Sequence, residues 1–147
     1  MTVDLERFVQ AQDTGAYAQA IAELQAGAKR SHWIWFIFPQ LAGLGSSPMA
    51  EAYGLHGVEE ATAYLRHPVL RERMLSAMNA VRAHSMPLRL LMGSKIDALK
   101  LVSSMTLFRE VARRTNDDEV ANAADEILQA ALGQGISECA FTKLTLG

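Results

Sequence analysis

Cysteine is nearly absent from this chain: Cys139 is the single one in 147 residues. An intrachain disulfide is therefore impossible, as is a zinc site built on cysteines, and a reducing compartment suits such a composition. No sign of charge dominates either. Fourteen Lys and Arg against sixteen Asp and Glu leave a formal net charge of −2, which argues against a non-specific nucleic-acid binder. Long apolar runs are missing: the longest, Trp33 to Phe38, is far too short to span a bilayer. The N-terminal Met-Thr-Val-Asp-Leu-Glu-Arg carries acids where a signal peptide would carry an apolar core. These absences point to a soluble, cytoplasmic protein with neither nucleic acid nor membrane as partner.

Familiar catalytic signatures are also lacking. No serine sits in a Gly-x-Ser-x-Gly elbow. The loop Gly43-Leu44-Gly45-Ser46-Ser47 leads toward a helix start but has no Lys-Ser or Lys-Thr, as a phosphate-cradling loop requires. The four histidines, His32, His56, His67 and His84, show no close metal-ligand spacing. No metal and no cofactor is expected.

What remains is helical periodicity in a chain of one-domain size. Half the residues are hydrophobic, enough to bury a core without staples. Leu5, Phe8, Val9 and Gln12 share a face, with Asp4 as candidate N-cap, and Tyr17, Ala20, Ile21 and Leu24 repeat the spacing. Gly15 interrupts the two and Gly27 ends the second. Ser47-Pro48 and His67-Pro68 open helices, pairing a capping side chain with proline in the first turn. Lys95 to Arg113 reads as a long helix with Ile96, Leu99, Val102 and Met105 or Thr106 inward. Glu119 to Leu132 follows, buried through Val120, Ala123, Ala124, Ile127, Leu128 and Ala131. In the tail, Phe141, Leu144 and Leu146 suggest a short strand or irregular chain. The expectation is a mainly α, compact helical bundle, a single domain over 1–147, with at most one short strand pair.

Two polar strings interrupt this bland pattern. The first is Lys29-Arg30-Ser31-His32-Trp33-Ile34-Trp35-Phe36-Ile37-Phe38-Pro39-Gln40, which holds both tryptophans and two of the five phenylalanines. Its aromatic content favours a strand, although a buried helical turn fits the same length; Pro39 ends it in either case. If extended, Trp33 and Trp35 share one face and Arg30 and His32 the other. An indole wall can stack a purine-like ring. Two cations beside an imidazole suit a phosphate or carboxylate, and His32 titrates near neutrality. The second string is Asp97, Lys100 and Ser104 on one helix face, flanked by Ser103, Thr106 and Arg109. On a helix apolar around much of its girth, such a stripe must find partners or a ligand. Arg109, Arg113 and Arg114 otherwise read as solvated surface, and Glu59 and Glu60 as an exposed first turn.

The strings Ser31-His32-Trp33-x-Trp35-Phe36-Ile37-Phe38-Pro39-Gln40 and Ser103-Ser104-Met105-Thr106-Leu107-Phe108 resemble the bacterial and fungal family called domain of unknown function 1810. So do Arg7-Phe8-Val9, Gly43-Leu44-Gly45, Tyr64-Leu65-x-His67-Pro68-x-Leu70 and Asp97-x-x-Lys100-Leu101. The resemblance implies a shared pocket built from the His32 and Lys100 segments, but no established activity. Members are sometimes labelled calpastatin, yet a compact domain is unlike the disordered inhibitor type. Members close with an Asp ahead of a Thr-Leu pair; here any role for a tail carboxylate falls to Glu138.

Two functions follow as expectations. One is a pocket for an anionic, ring-bearing small molecule, nucleotide-like or ADP-ribose-like, with hydrolysis as its reaction if it turns over. His32, Asp97 and Lys100 would be the catalytic group, and Lys29, Arg30, Ser31, Trp33, Trp35, Gln40, Ser103, Ser104 and Thr106 would bind. The other is a non-catalytic interaction module or homodimer whose helix faces carry Met74, Met78 and Met105.

Overall fold

The computed structural model describes residues 4–146, and the regular elements among them are helices. Helix α1 (Glu6–Ala11) passes through a π-helical turn (Gln12–Ala16) into α2 (Tyr17–Gln25). A single turn, α3 (Ile34–Ile37), is followed by α4 (Pro48–Tyr53), α5 (Val58–Arg66) and α6 (Pro68–Arg82). Another short turn, α7 (Leu88–Leu91), leads to the long α8 (Lys95–Arg114), then α9 (Asp118–Gly133) and α10 (Ala140–Leu146). Helices α8 and α9 form the central antiparallel pair. Helix α6 lies across α2 and α9, while α5 bridges α6 and α8.

The boundaries follow local chemistry. Ser47, His67, Ser94 and Asp117 each accept a backbone N–H in the first turn of α4, α6, α8 and α9, satisfying donors that a helix start leaves orphaned. Asp117 also receives a bidentate bond from Arg71, at 3.0 Å to each carboxylate oxygen. This hydrogen bonding holds its carboxyl below the usual range and pins α6 to the start of α9. Asp4 does not cap α1; Leu5 occupies that position with helical dihedrals and no side-chain bond. Gly27 and Gly135, both with positive φ, close α2 and α9 with paired bonds back into the last turn: Gly27 N–H to Leu24 and Ala28 N–H to Glu23, Gly135 N–H to Leu132 and Ile136 N–H to Ala131.

Helix α8 is the axis of the core, buried around its whole girth from Leu101 to Arg109, as expected of a helix enclosed on all sides. Tyr64 packs on Phe8 edge to face and on Phe108 at a tilt, with ring centres 5.2 and 5.3 Å apart. Ile96 and Leu99 correct the sequence reading: they point outward, 66% and 46% exposed, and Ala98 and Leu101 take the inward positions. Met74, Met78 and Met105 are fully buried, so they offer no interaction face. Among the described residues, strand content reduces to one isolated parallel bridge between Leu41 and Leu55. The tail is neither strand nor irregular chain: α10 docks on α8 through Thr142, which is wholly buried, while Leu144 is 83% exposed.

Gly93, between α7 and α8, lets the Lys29 segment approach. Its φ is +82°, and a Cβ there would stand 2.7 Å from the Lys29 carbonyl oxygen. Lys29 N–H meanwhile bonds the Leu91 carbonyl at 2.8 Å. Gly93→Ala is expected to destabilise the fold by about 2 kcal/mol or more. Gly133→Ala, with nothing within 4 Å and an ordinary φ, should be neutral or stabilise by about 0.5–1 kcal/mol. Urea titration of the two variants measures both.

Candidate functional site

The Lys29–Gln40 string is not extended. After an irregular stretch, residues 34–37 form one helical turn, and a turn advances roughly 100° per residue. Trp33 and Trp35 therefore diverge instead of sharing a face. Trp33 is sealed in the core at 1% exposure, whereas Trp35 is only half-buried. Burying two adjacent indoles on one face of a strand would have needed a partner strand, and the chain supplies none among the described residues.

Glu23, at the end of α2, organises the first half of the string. Its carboxylate accepts the backbone N–H groups of Arg30 and Ser31 at 2.7 and 2.9 Å, the Ser31 hydroxyl at 2.6 Å and the Trp33 indole N–H at 3.0 Å. Gln19 adds a fifth donor at 3.0 Å. Burial on its own raises the carboxyl, but the donors from Ser31, Arg30 and Trp33 outweigh it and hold the group at about 2. The sequence reading passed over Glu23. The available signal was a carboxylate beside the apolar positions Ala20 and Leu24 of its helix.

Lys29 is buried rather than solvated. Its ammonium is 2.8 Å from the Asp97 carboxylate, donates to the Ser31 carbonyl at 2.5 Å, and sits 4.8 Å from the Trp33 ring centre. Asp97 also faces Lys100, at 3.9 Å. The Lys100 ammonium is itself 5.0 Å from the ring centre of Trp35. The two strings thus meet in the order Trp33, Lys29, Asp97, Lys100, Trp35, with cations over aromatic rings at both ends.

Beside Lys100 and Trp35 opens a cavity of about 510 Å3, walled by α4 and the loop before it, one side of α8, and Ser137 to Cys139. Of the expected site residues, Trp35, Gln40, Lys100 and Ser103 line it; Asp97 stands behind Lys100. The remaining lining is largely apolar: Leu41, Leu44, Met49, Tyr53, Ile96, Leu99 and Val102. The Trp35 Nε1–H is buried and meets no protein acceptor.

The other expected residues lie elsewhere. His32 and Arg30 are exposed and outside the cavity, Ser31 belongs to the Glu23 cluster, and Trp33 is behind the wall. Ser104 is fully buried with its hydroxyl unpartnered. The Thr106 hydroxyl donates to the Val102 carbonyl at 2.7 Å and accepts the Cys139 N–H at 3.2 Å, so its role is to hold the tail. Arg109 is not solvated: it is buried between Asp125 and Glu138. Glu60 is likewise buried, paired with Arg7 at 3.0 Å.

Two tail residues complete the cavity. Glu138 lines it while paired with Arg109 and, at 2.9 Å, with Lys143. Cys139 presents its sulfur between the hydroxyls of Ser103 and Thr142, at 3.4 and 3.2 Å. Burial pushes the thiol up, but these hydroxyls and the backbone N–H groups of Thr142 and Phe141 prevail and hold it below its ordinary value. Among the described residues, no group of three or more His, Cys, Asp or Glu is placed to hold a metal ion.

The class these features define is a small helical protein with a mostly apolar cavity, edged by a cation and a polarised thiol. A family model described as a protein of unknown function, DUF1810, matches residues 2–135. The chain belongs to that family. The crystal structure of the conserved hypothetical protein Rv1873 from Mycobacterium tuberculosis is similar at 39% identity and a TM-score of 0.82, covering 98% of this chain and 96% of that one. No curated protein matches the chain.

The Glu23 cluster predicts a specific acid dependence. A carboxyl depressed in the folded state contributes stability that is fully present above its unfolded value near 4.5 and is lost as pH falls through about 2. Glu23→Gln should cost about 2–3 kcal/mol at neutral pH, since its buried donors lose a charged acceptor. The gap between wild type and variant should narrow between pH 4.5 and 2. Urea titrations across that range measure it.

Proposed function

We propose that this protein is a small-molecule-binding protein whose ligand is anionic and ring-bearing, and that the cavity between Trp35 and Cys139 is its site. One observation carries the reading: the cavity places an accessible lysine beside an indole whose N–H has no protein acceptor, in a mostly apolar chamber of about 510 Å3. That combination of size, apolar lining and few polar groups is the usual make-up of a ligand pocket. The ring enters against Trp35 and Tyr53, the Lys100 ammonium turns from the indole to the ligand's negative charge, and Gln40 and Ser103 hydrogen-bond its polar edge. Nucleotides and ADP-ribose derivatives belong to this ligand class. Because His32 lies outside the chamber, a hydrolytic reaction here would fall to Lys100, Glu138 and Cys139. A reducing cytoplasm is the setting in which Cys139 stays a thiol.

The alternative, a non-catalytic interaction module or homodimer, has weaker support. Its methionine faces are buried, and the exposed large hydrophobics are scattered over several helices, with Ile96 and Leu99 at the cavity's edge. No helix among the described residues is long and apolar enough to cross a membrane.

Cys139 and Trp35 supply two independent reporters. Because Cys139 is the sole cysteine, alkylation by iodoacetamide reads this wall of the cavity alone. A panel of anionic aromatic compounds, nucleotides included, is expected to contain members that both slow Cys139 alkylation about tenfold or more at saturation and shift tryptophan emission. Trp35→Phe should abolish the emission change, since Trp33 is sealed. If no compound alters either signal, the reading fails.

A further inference from the structure

Resting on the small-molecule reading above, we propose that the cavity selects a ring-bearing monoanion, a carboxylate on an apolar body, and discriminates against polyphosphates. The lining holds one lysine, Lys100, and one carboxylate, Glu138. Lys100 is only partly committed: Asp97 is 3.9 Å away, and its side chain keeps 28% exposure. Three other cations near the chamber, Lys29, Arg109 and Lys143, are already paired. Lys29 is sealed, with 4% of its side chain exposed, and bound to Asp97 at 2.8 Å. Arg109 is divided between Asp125 and Glu138, and Lys143 is taken by Glu138. A single negative charge finds Lys100 waiting. A second or third finds no other cation in the lining, and Glu138, whose charge Arg109 and Lys143 already pair, offers it no attraction.

The helix start beside the chamber is poorly made for holding phosphate. Backbone N–H groups at a helix start are the usual cradle. Here Pro48, the first residue of α4, has no N–H, and the Ala50 N–H is already bonded to the Ser47 hydroxyl at 3.2 Å. The loop Gly43 to Ser47 thus turns a corner and lends Leu44 to the wall, while the Ser47 hydroxyl and carbonyl serve the helix. Leu41, Leu44, Met49, Tyr53, Leu99 and Val102 make the chamber's body apolar. That favours a fused or substituted ring over a ribose and its hydroxyls, which would be stripped of water against hydrocarbon.

Equilibrium binding by titration calorimetry, in dilute buffer at pH 7, tests the charge rule with four probes: 1-naphthoate, its neutral analogue 1-naphthylmethanol, AMP and ADP-ribose. The wild-type protein should bind 1-naphthoate about tenfold more tightly than the alcohol, and at least tenfold more tightly than AMP or ADP-ribose. Lys100→Met should erase the preference for naphthoate over the alcohol while leaving the alcohol's affinity within about twofold. Leu99→Trp, a partly exposed lining position, should weaken both naphthyl probes by narrowing the chamber; circular dichroism confirms that both variants fold. If AMP or ADP-ribose binds more tightly than naphthoate, or if the alcohol binds as well as the acid, the charge rule is overturned and the small-molecule reading stands. If none of the four binds, both fall.

Discussion

A buried ammonium has to be paired, and in this protein that requirement ties the molecule together. Lys29 sits where almost no water reaches it, so leaving it unpaired would be costly. Asp97 answers it from the first turn of α8, where a carboxylate also suits the helix dipole. To bring them together, the chain after α2 must run against the α7–α8 junction, which is why Gly93 has no room for a side chain. Once Asp97 is engaged by Lys29 at 2.8 Å, its hold on Lys100 is the looser one at 3.9 Å. The cavity's accessible cation is a consequence of that unequal sharing.

A second device, the Glu23 cluster, fixes the other end of the same segment. Its carboxylate accepts the backbone of Arg30 and Ser31 and the Trp33 indole, so that an irregular stretch of chain acquires the hydrogen bonds a regular element would have given it. With Trp33 anchored inward, the single turn that follows sends Trp35 the other way, onto the cavity. The tail closes the opposite wall by similar means. Thr106 receives the Cys139 N–H, Glu138 pairs with Arg109, and the Phe141 ring lies against Gly43, where a Cβ would come within 3.3 Å of it.

Much of the scaffold was legible in the residues because its signals are local. Ser47-Pro48 and His67-Pro68 start helices as their chemistry dictates, Gly27 and Gly135 stop them, and the apolar face of α9 follows its period. The aromatic run was ambiguous for a physical reason: so short an apolar run fits a strand or a helical turn equally, and the carboxylate of Glu23, outside the run, anchors its start. Arg109 and Glu60 looked like surface because a charge pattern does not reveal a partner sixteen or more positions away. In the candidate site, Trp35 and Gln40 belong to the aromatic string and Lys100 and Ser103 to the polar stripe of α8, so both strings supply lining residues. His32 and Arg30 were misplaced, because adjacency in sequence to a tryptophan does not imply a shared face. Cys139 was seen only as a redox marker; its position becomes meaningful once α10 folds back on α8.

The most direct test of this account is a double-mutant cycle on stability, measured by urea titration at pH 7 in low salt. Lys29→Met and Asp97→Asn, singly and together, should reveal a coupling of about 2 kcal/mol or more, as expected for a buried ion pair. Lys100→Met with Asp97→Asn should show about 0.5 kcal/mol or less. A coupling near zero for Lys29 with Asp97, or a larger one for Lys100 with Asp97, would contradict the claim that the buried ammonium claims the carboxylate and releases Lys100 to the cavity.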